Sequence, residues 1–474
     1  MAGRVWRFPF DDEVYTLQAI ERSSAGKLFT FYLGGSDVHP PLQYLYSFAL
    51  RHLGLSEAGM RLCSLVMTAL ALALFQILAL QWIAQRNREP VSLSTRIVAV
   101  LLFGLSALAV SQGDAIHWYP LFAFEIALFV TIYLAGGNNA ARLWSAVPLG
   151  IAASTNFLAV IVILPFAVYR YGFQRQHHLS FEVVFWAVAG VFASFGIYTA
   201  YSLFTHHFGM VGTQIGNGIL RAGLTDALGF FGGDALGIGQ AWIIFPAVVV
   251  SGLAMAAAVD RKQPDAPIHL LLLLMVASVV LVLAGFAKPR SFLYLVPLLA
   301  AVLALYIDRQ SKLRPRTALL LTVLLVTGSV SAIANINGGT HPFKRNSSIP
   351  FQDIVDFIDS NGTGRQLILS TDPIVPRVMQ RRPGSGDRCA GYFQAQECLS
   401  GGRAYDSVFI VSGHSDKSGN VAAMRRFNEA VTAATDGRSK IATIHVGRDD
   451  DAALKTWLTG VALDNYILTV ELYR

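Results

Sequence analysis

Charge is scarce in this chain. Only 14% of its 474 residues are Asp, Glu, Lys or Arg, against about 25% in a typical soluble domain. Hydrophobic residues make up 54%. That balance excludes an ordinary water-soluble globular protein and points to a membrane protein. Cysteine is scarcer still. Three cysteines cannot build a disulfide scaffold or a zinc ribbon, and no Cys/His constellation has metal-ligand spacing. A Gly-rich phosphate loop is missing, so no nucleotide site is visible. There is no internal repeat and no low-complexity segment. Met1–Phe10 lacks the continuous apolar core of a signal peptide.

What is present is a series of apolar runs. Stretches of spanning length lie at 57–84, 97–112, 118–135, 181–204, 239–258, 268–286, 291–307 and 317–335. A further run, 144–169, is long for one crossing and is interrupted by Ser154-Thr155-Asn156, which predicts two short helices. The sum is about ten transmembrane helices.

The formal net charge is +7, and its distribution sets an orientation. One set of connections carries Arg86, Arg88, Arg96, Arg142, Arg170, Arg175, Arg261, Lys262, Arg309, Lys312, Arg314 and Arg316. The alternate set carries Arg221, Lys288 and Arg290. Lys and Arg are retained at the anionic cytoplasmic leaflet, so the first set is cytoplasmic. The basic balance is thereby explained without a nucleic-acid partner. Three regions follow: an outer segment, 1–56, with interfacial helices; a transmembrane domain, 57–335; and an outer domain, 336–474. The short connections near 112–117 and 287–290 and the longer one at 205–238 also face outward.

The tail is polar. Short β-rich runs at Gln366–Thr371, Ser407–Ser412, Lys440–Val446 and Tyr466–Leu472, with amphipathic patterns at 350–359 and 419–434, predict a small α/β domain. Cys389 and Cys398 lie close together in a loop of it. On an outer face they can form a disulfide or stay as two thiols. Cys63 sits in an apolar run and reads as packing.

Chargeable residues cluster on the outer side. Asp11-Asp12-Glu13 opens an amphipathic stretch, 12–24, with Val14, Leu17 and Ile20 on one stripe. A carboxylate there can simply cap a helix, or it can be a well-fixed base. Asp37-Val38-His39-Pro40-Pro41-Leu42 precedes a second interfacial pattern with Tyr44, Leu45 and Phe48. His39 reads as a plain loop histidine or as a site residue. Lys288-Pro289-Arg290 places two cations at an outer boundary, where they snorkel or grip an anion. Glu125 lies inside an apolar helix, where an ionisable group either pairs with a polar neighbour or serves a function. The Gly-rich connection 205–238, with His206, His207, Asp226 and Asp234, has the length of a covering loop.

The order of these motifs resembles the glycosyltransferase C (GT-C) superfamily, in particular its bacterial branch of protein O-mannosyltransferases and aminoarabinose transferases. The resemblance covers about residues 8–310. It rests on Asp12-Glu13 followed by Tyr15, on His39-Pro40-Pro41, and on Arg290 leading into Ser291-Phe292-Leu293-Tyr294 and Pro297. The last is a looser match, because serine follows the arginine directly. It implies a polytopic α-helical, GT-C-like fold in a bacterial inner membrane, with the site and the C-terminal domain periplasmic. The implied reaction moves a sugar from a polyprenyl-phosphate donor to a hydroxyl on a glycan, lipid or protein acceptor, with inversion. Asp12 would be the base, Glu13 and Asp11 its support, and Arg290 with Lys288 the cations at the leaving phosphate. Asp37 and His39 would line the site. No cofactor is required, and a divalent cation among the carboxylates is compatible with the residues. The family normally has a transmembrane helix before the acidic motif, where this chain has Met1–Phe10. Either the N-terminus is external or such a helix lies outside the sequence. The alternative reading is a non-catalytic membrane transporter or scaffold for lipid-linked sugars. A transporter would show paired broken helices or inverted repeats, and only one break, at 154–156, is visible.

The orientation is testable by labelling. Cysteine in place of Ser311 should resist an impermeant thiol reagent in intact cells, and cysteine in place of Ser418 should react. The reverse pattern would overturn the assignment of one shared active face.

Overall fold

The structure is a computed structural model that describes residues 11–21, 24, 26–28, 40–87, 91–104, 106–174, 178–202, 267–283, 289–323, 351–372, 374–380, 388–392, 398, 404–413, 421–447 and 467–474. The chain divides into two compact units. One comprises Met1–Trp6 and Thr16–Ala334; the other comprises Arg7–Tyr15 and Asn335–Arg474.

The first unit is helical. Its elements are α1 (Asp11–Ile20, which opens in the other unit's share of the chain), α2 (Leu42–His52), α3 (Glu57–Asn87), α4 (Leu93–Gly104), α5 (Ala107–Gln112), α6 (Trp118–Ala135), α7 (Asn139–Leu143), α8 (Ala146–Thr155), α9 (Ala159–Val168), α10 (Leu179–Phe192), α11 (Ser194–Ser202), α12 (Pro267–Leu283) and α13 (Val296–Leu313). Among the described residues three segments are long and apolar enough to cross a membrane: Glu57–Leu78, Trp118–Ala135 and Ser291–Leu313. Shorter apolar helices cover Leu93–Gly104, Ala159–Phe173, Leu179–Phe192 and His269–Ser278.

The run 144–169 is indeed two helices, α8 and α9, parted at Asn156, whose extended backbone ends α8. Two runs expected to be single spans are also divided. The run 97–112 breaks where Ser106 caps α5 by accepting from the Ala109 amide. The run 181–204 breaks at Ala193 between α10 and α11. The runs at 239–258 and at 324–335 lie outside the described residues.

α6 is the centre of this unit. It packs on α3, on α8 and on a 3-10 segment, Pro289–Leu295. Phe129 and Tyr133 of α6 meet Phe166 of α9 edge to face, at 5.0 and 4.7 Å between ring centroids. Such pairs add to the burial of their area. Arg170, counted above among loop cations, is instead buried. It holds Glu182 of α10 through Nε (3.0 Å) and Nη2 (2.8 Å) and donates to Tyr133 Oη (3.2 Å). An isolated charge among apolar helices is expensive, so it pairs. α11 crosses α8 so closely that a Cβ on Gly196 would lie 2.0 Å from the Ala153 carbonyl oxygen.

The second unit is a three-layer α/β domain. Its strands are β1 (Gln366–Ser370), β2 (Arg388–Tyr392), β3 (Ser407–Gly413), β4 (Lys440–Gly447) and β5 (Ile467–Tyr473), in the order β2-β1-β3-β5-β4. β2, β1 and β3 are parallel; β3, β5 and β4 are antiparallel. Side chains alternate across the sheet with period two. Ile368, Phe409 and Val470 meet Ile354 and Ile358 of α14 (Phe351–Asn361) and Met379 of α15 (Ile374–Gln380). Leu367, Val408 and Ile410 meet Phe427 and Ala430 of α16 (Val421–Thr435) on the other face. Four strands and two helices match the sequence expectation. β2 and α15 are additions, and Cys389 stands on β2 rather than in a loop. Cys389 and Cys398 form a disulfide, with Cα atoms 5.7 Å apart.

The close helix crossing yields a paired prediction. Gly196→Ala should destabilise the protein by about 1–3 kcal/mol, because its methyl has only backbone to displace. A Cβ at Gly190 of α10 meets nothing within 4 Å, so Gly190→Ala should be neutral or stabilise by up to about 1 kcal/mol through helix propensity. Thermal unfolding of the two variants in the same detergent checks this; equal effects would contradict the crossing.

Candidate functional site

One end of the helical unit collects the short connections read as outward-facing. The turn between α5 and α6 carries Gln112, Asp114 and His117, all buried. Thr68 of α3 donates to the Gly113 carbonyl oxygen at 2.9 Å, which ties this turn down. A side chain at residue 113 would meet the Ala109 carbonyl oxygen at 2.4 Å, so the turn requires glycine for close approach. Ile116 packs with Met60 of α3 and with Leu17 and Ile20 of α1. The later residues of α1, Leu17 and Ile20, are thus seated on this turn. Tyr44 of α2 packs with Ala19 and Leu28. The later residues of α1, and α2, are therefore fixed by apolar contacts, as their patterning requires.

Arg290 lies on the 3-10 segment, whose backbone is kinked at Phe292 (φ −102°, ψ 29°). The expected helix beginning near Ser291 is therefore corrected: the α-helix starts at Val296. Pro297 explains this. It has no amide hydrogen for the Leu293 carbonyl, so the regular α pattern cannot extend back through it. The segment is nevertheless rigidly seated. Phe122 of α6 meets the Tyr294 ring edge to face at 5.5 Å, and the Tyr294 hydroxyl is 3.0 Å from Ser278 Oγ on α12. Trp118 continues the same face of α6 and meets Phe122 edge to face at 5.6 Å. The α5–α6 turn and the Arg290 segment are therefore neighbours: α5 and α6 both pack on Pro289–Leu295.

The backbone of Asp11 and Asp12 is helical, and Glu13 is fully buried. Asp37, His39 and Lys288 lie outside the described residues, as does the connection 205–238. The structure adds three chargeable groups to the candidates: Arg61, Asp114 and His117, each buried and each with interactions in the fold. Arg61 had a signal in the sequence, an ionisable residue near the start of an apolar run. Asp114 and His117 had only their place in a short outer turn. Tyr46 of α2 is a further polar group here. Burial pushes its phenol up to about 12, with Cys63 adding to the shift, so it stays a neutral hydroxyl. Among the described residues no group of three or more His, Cys, Asp or Glu could hold a metal ion.

Apolar helices that break and kink, and a small α/β unit, make up a fold with solved counterparts. The particular likeness is to ArnT from Cupriavidus metallidurans bound to undecaprenyl phosphate: TM-score 0.50, 11% sequence identity, covering 99% of this chain and 96% of that one. The apo state of the same protein aligns with TM-score 0.40 and 13% identity, covering 98% and 94%. No family model matches the sequence, and no curated protein matches it. At these identities the likeness is one of fold.

Proposed function

We propose that this protein is a membrane glycosyltransferase that moves a sugar from a polyprenyl-phosphate donor to an acceptor hydroxyl on the periplasmic face of a bacterial inner membrane. One observation carries the reading. The fold follows, over nearly its whole length, that of a protein whose structure holds undecaprenyl phosphate. The site supports it. Arg290 sits on a segment held against α6 and α12, at the outer boundary assigned by the Lys/Arg distribution. The acidic triplet lies at the start of α1.

The chemistry needs two things. A base must take the proton of the acceptor hydroxyl, and cations must stabilise the phosphate as it leaves. Asp12 is the proposed base, with Glu13 and Asp11 beside it, and Arg290 with Lys288 receives the phosphate. The acceptor oxygen bonds to the anomeric carbon as the bond to the phosphate oxygen breaks. The electron pair departs with the phosphate, the proton ends on Asp12, and the anomeric centre inverts. Asp37 and His39 line the site in this reading. The reaction balances without a cofactor.

Two substitutions test it. Asp12→Asn keeps size and capping ability but cannot take a proton at neutral pH. Transfer should fall about 10²–10⁴-fold with normal expression; turnover within about threefold of the parent would remove Asp12 as the base. Arg290→Lys keeps charge and loses the planar fork, and Arg290→Ala loses both. Both should weaken donor use, shifting the dependence of transfer to higher donor concentration, Ala more than Lys. A silent Lys variant would point to snorkelling alone, and an unchanged Ala variant would remove Arg290 from the site.

A further inference from the structure

Glu125 has no part in the chemistry above, yet it is buried in the middle of α6 at 4% exposure. Its Oε1 accepts from the Thr155 hydroxyl at 2.8 Å. Its Oε2 has no hydrogen-bond partner among the described residues. The next residue after Thr155 repeats the pattern. Asn156 is fully buried, and its Oδ1 accepts from the Leu158 amide at 2.8 Å, which starts α9. Its Nδ2 has no partner among the described residues. Capping the helix break uses one end of the Asn156 amide and leaves the other; bonding Thr155 uses one carboxyl oxygen of Glu125 and leaves the other. A third buried group, Gln43 of α2, donates to Ser47 Oγ at 2.9 Å and leaves its Oε1 without a partner. α2 packs on α8, the helix that ends at Thr155.

Glu125 Oε2 on α6 and Asn156 Nδ2 at the α8–α9 break, linked through Thr155, are costly inside an apolar bundle unless something binds them. The walls are fixed. Ser154 donates to the Phe192 carbonyl oxygen, and Gly196 admits α11 against Ala153. Glu125 lies seven residues beyond Trp118, so roughly 10 Å below the α5–α6 turn along the helix. Trp118, Phe122 and Glu125 follow the i, i+4, i+7 spacing of one face.

We propose that Glu125, Thr155 and Asn156 form a buried subsite for a neutral, hydroxyl-bearing group. A hydroxyl donates to Glu125 Oε2 while its oxygen accepts from Asn156 Nδ2; a simple ion of either sign would have to lose its hydration among apolar helices, and a simple cation leaves the amide donor unused. Resting on the donor reading above, the occupant is the sugar of the lipid-linked donor, held below the point where its phosphate departs. The subsite would then read the sugar and not the lipid.

The test is binding in nanodiscs of the intact protein, Asn156→Ser and Glu125→Gln. The probes are undecaprenyl phosphate and its glucose, galactose, mannose and N-acetylglucosamine derivatives. Serine keeps a capping oxygen at the helix break and removes the Nδ2 donor; glutamine keeps size and the Thr155 contact and replaces the Oε2 acceptor with a donor. The parent should bind at least one sugar-bearing lipid more tightly than undecaprenyl phosphate. Each variant should lose about three- to tenfold of that preference while binding undecaprenyl phosphate as before. Preference retained in both variants, or no preference in the parent for any of the four sugars, overturns the subsite and leaves water as its occupant. Failure of all five lipids to bind the parent overturns the donor reading itself.

Discussion

Polar groups inside an apolar bundle must be satisfied by the bundle, because no water is there to do it. In the helical unit this requirement decides where helices stop and what they pack against. Thr68 reaches across to the Gly113 carbonyl oxygen and fixes the α5–α6 turn. The Ser278–Tyr294 hydroxyl contact ties the 289–295 segment to α12. Arg170 and Glu182 neutralise each other between α9 and α10, and Tyr171 and Trp186 extend the chain of donors outward from Glu182. Each such bond is modest in net worth, about 0.5–1.5 kcal/mol for neutral pairs, but leaving the same groups unpaired costs more. The irregular backbone of this unit is therefore placed rather than tolerated.

The two units differ in how far their sequences reveal them. In the α/β unit the strands β1 and β3 alternate buried residues to both faces, and each contains a short unbroken apolar run, Leu367–Leu369 and Val408–Val411, so they stand out from the polar sequence around them. β2, Arg388-Cys389-Ala390-Gly391-Tyr392, has no such pattern. Among the described residues it is an edge strand paired with β1, and edge positions need little apolar content. Its register is what puts Cys389 within bridging distance of Cys398, so the disulfide could be anticipated from spacing while its strand could not.

In the helical unit, hydropathy locates apolar mass but not helix ends. The run 97–112 hides the Ser106 cap, and the run 181–204 hides the turn at Ala193. Only the break at 154–156 was visible, because three polar residues in succession interrupt an apolar stretch. The same limit applies to the candidate site. Asp12, Glu13 and Arg290 are candidates because they are charges beside spans, and His39, Asp37 and Lys288, outside the described residues, because they belong to short motifs. Asp114 and His117 were not, since a single acid and a single histidine in an outer turn look like ordinary solvated residues until the turn is found to be buried.

The kinked entry to α13 and the break between α8 and α9 share one physical logic. Pro297 removes an amide donor from the start of α13, and the chain before it takes the tighter 3-10 path that carries Arg290. At Asn156 a side chain supplies the acceptor that starts α9, and the main chain turns extended. In both places the regular helix gives up backbone hydrogen bonds and exposes polar atoms to a partner that is not part of the same helix. For Tyr294, next to the first irregularity, that partner is Ser278. For Asn156, at the second, and for Glu125, joined to it through Thr155, one half of each group is satisfied by the fold and the other half has no partner among the described residues. A bundle that needed only to span a membrane would have no use for either irregularity, because an uninterrupted helix satisfies its own backbone at no such cost.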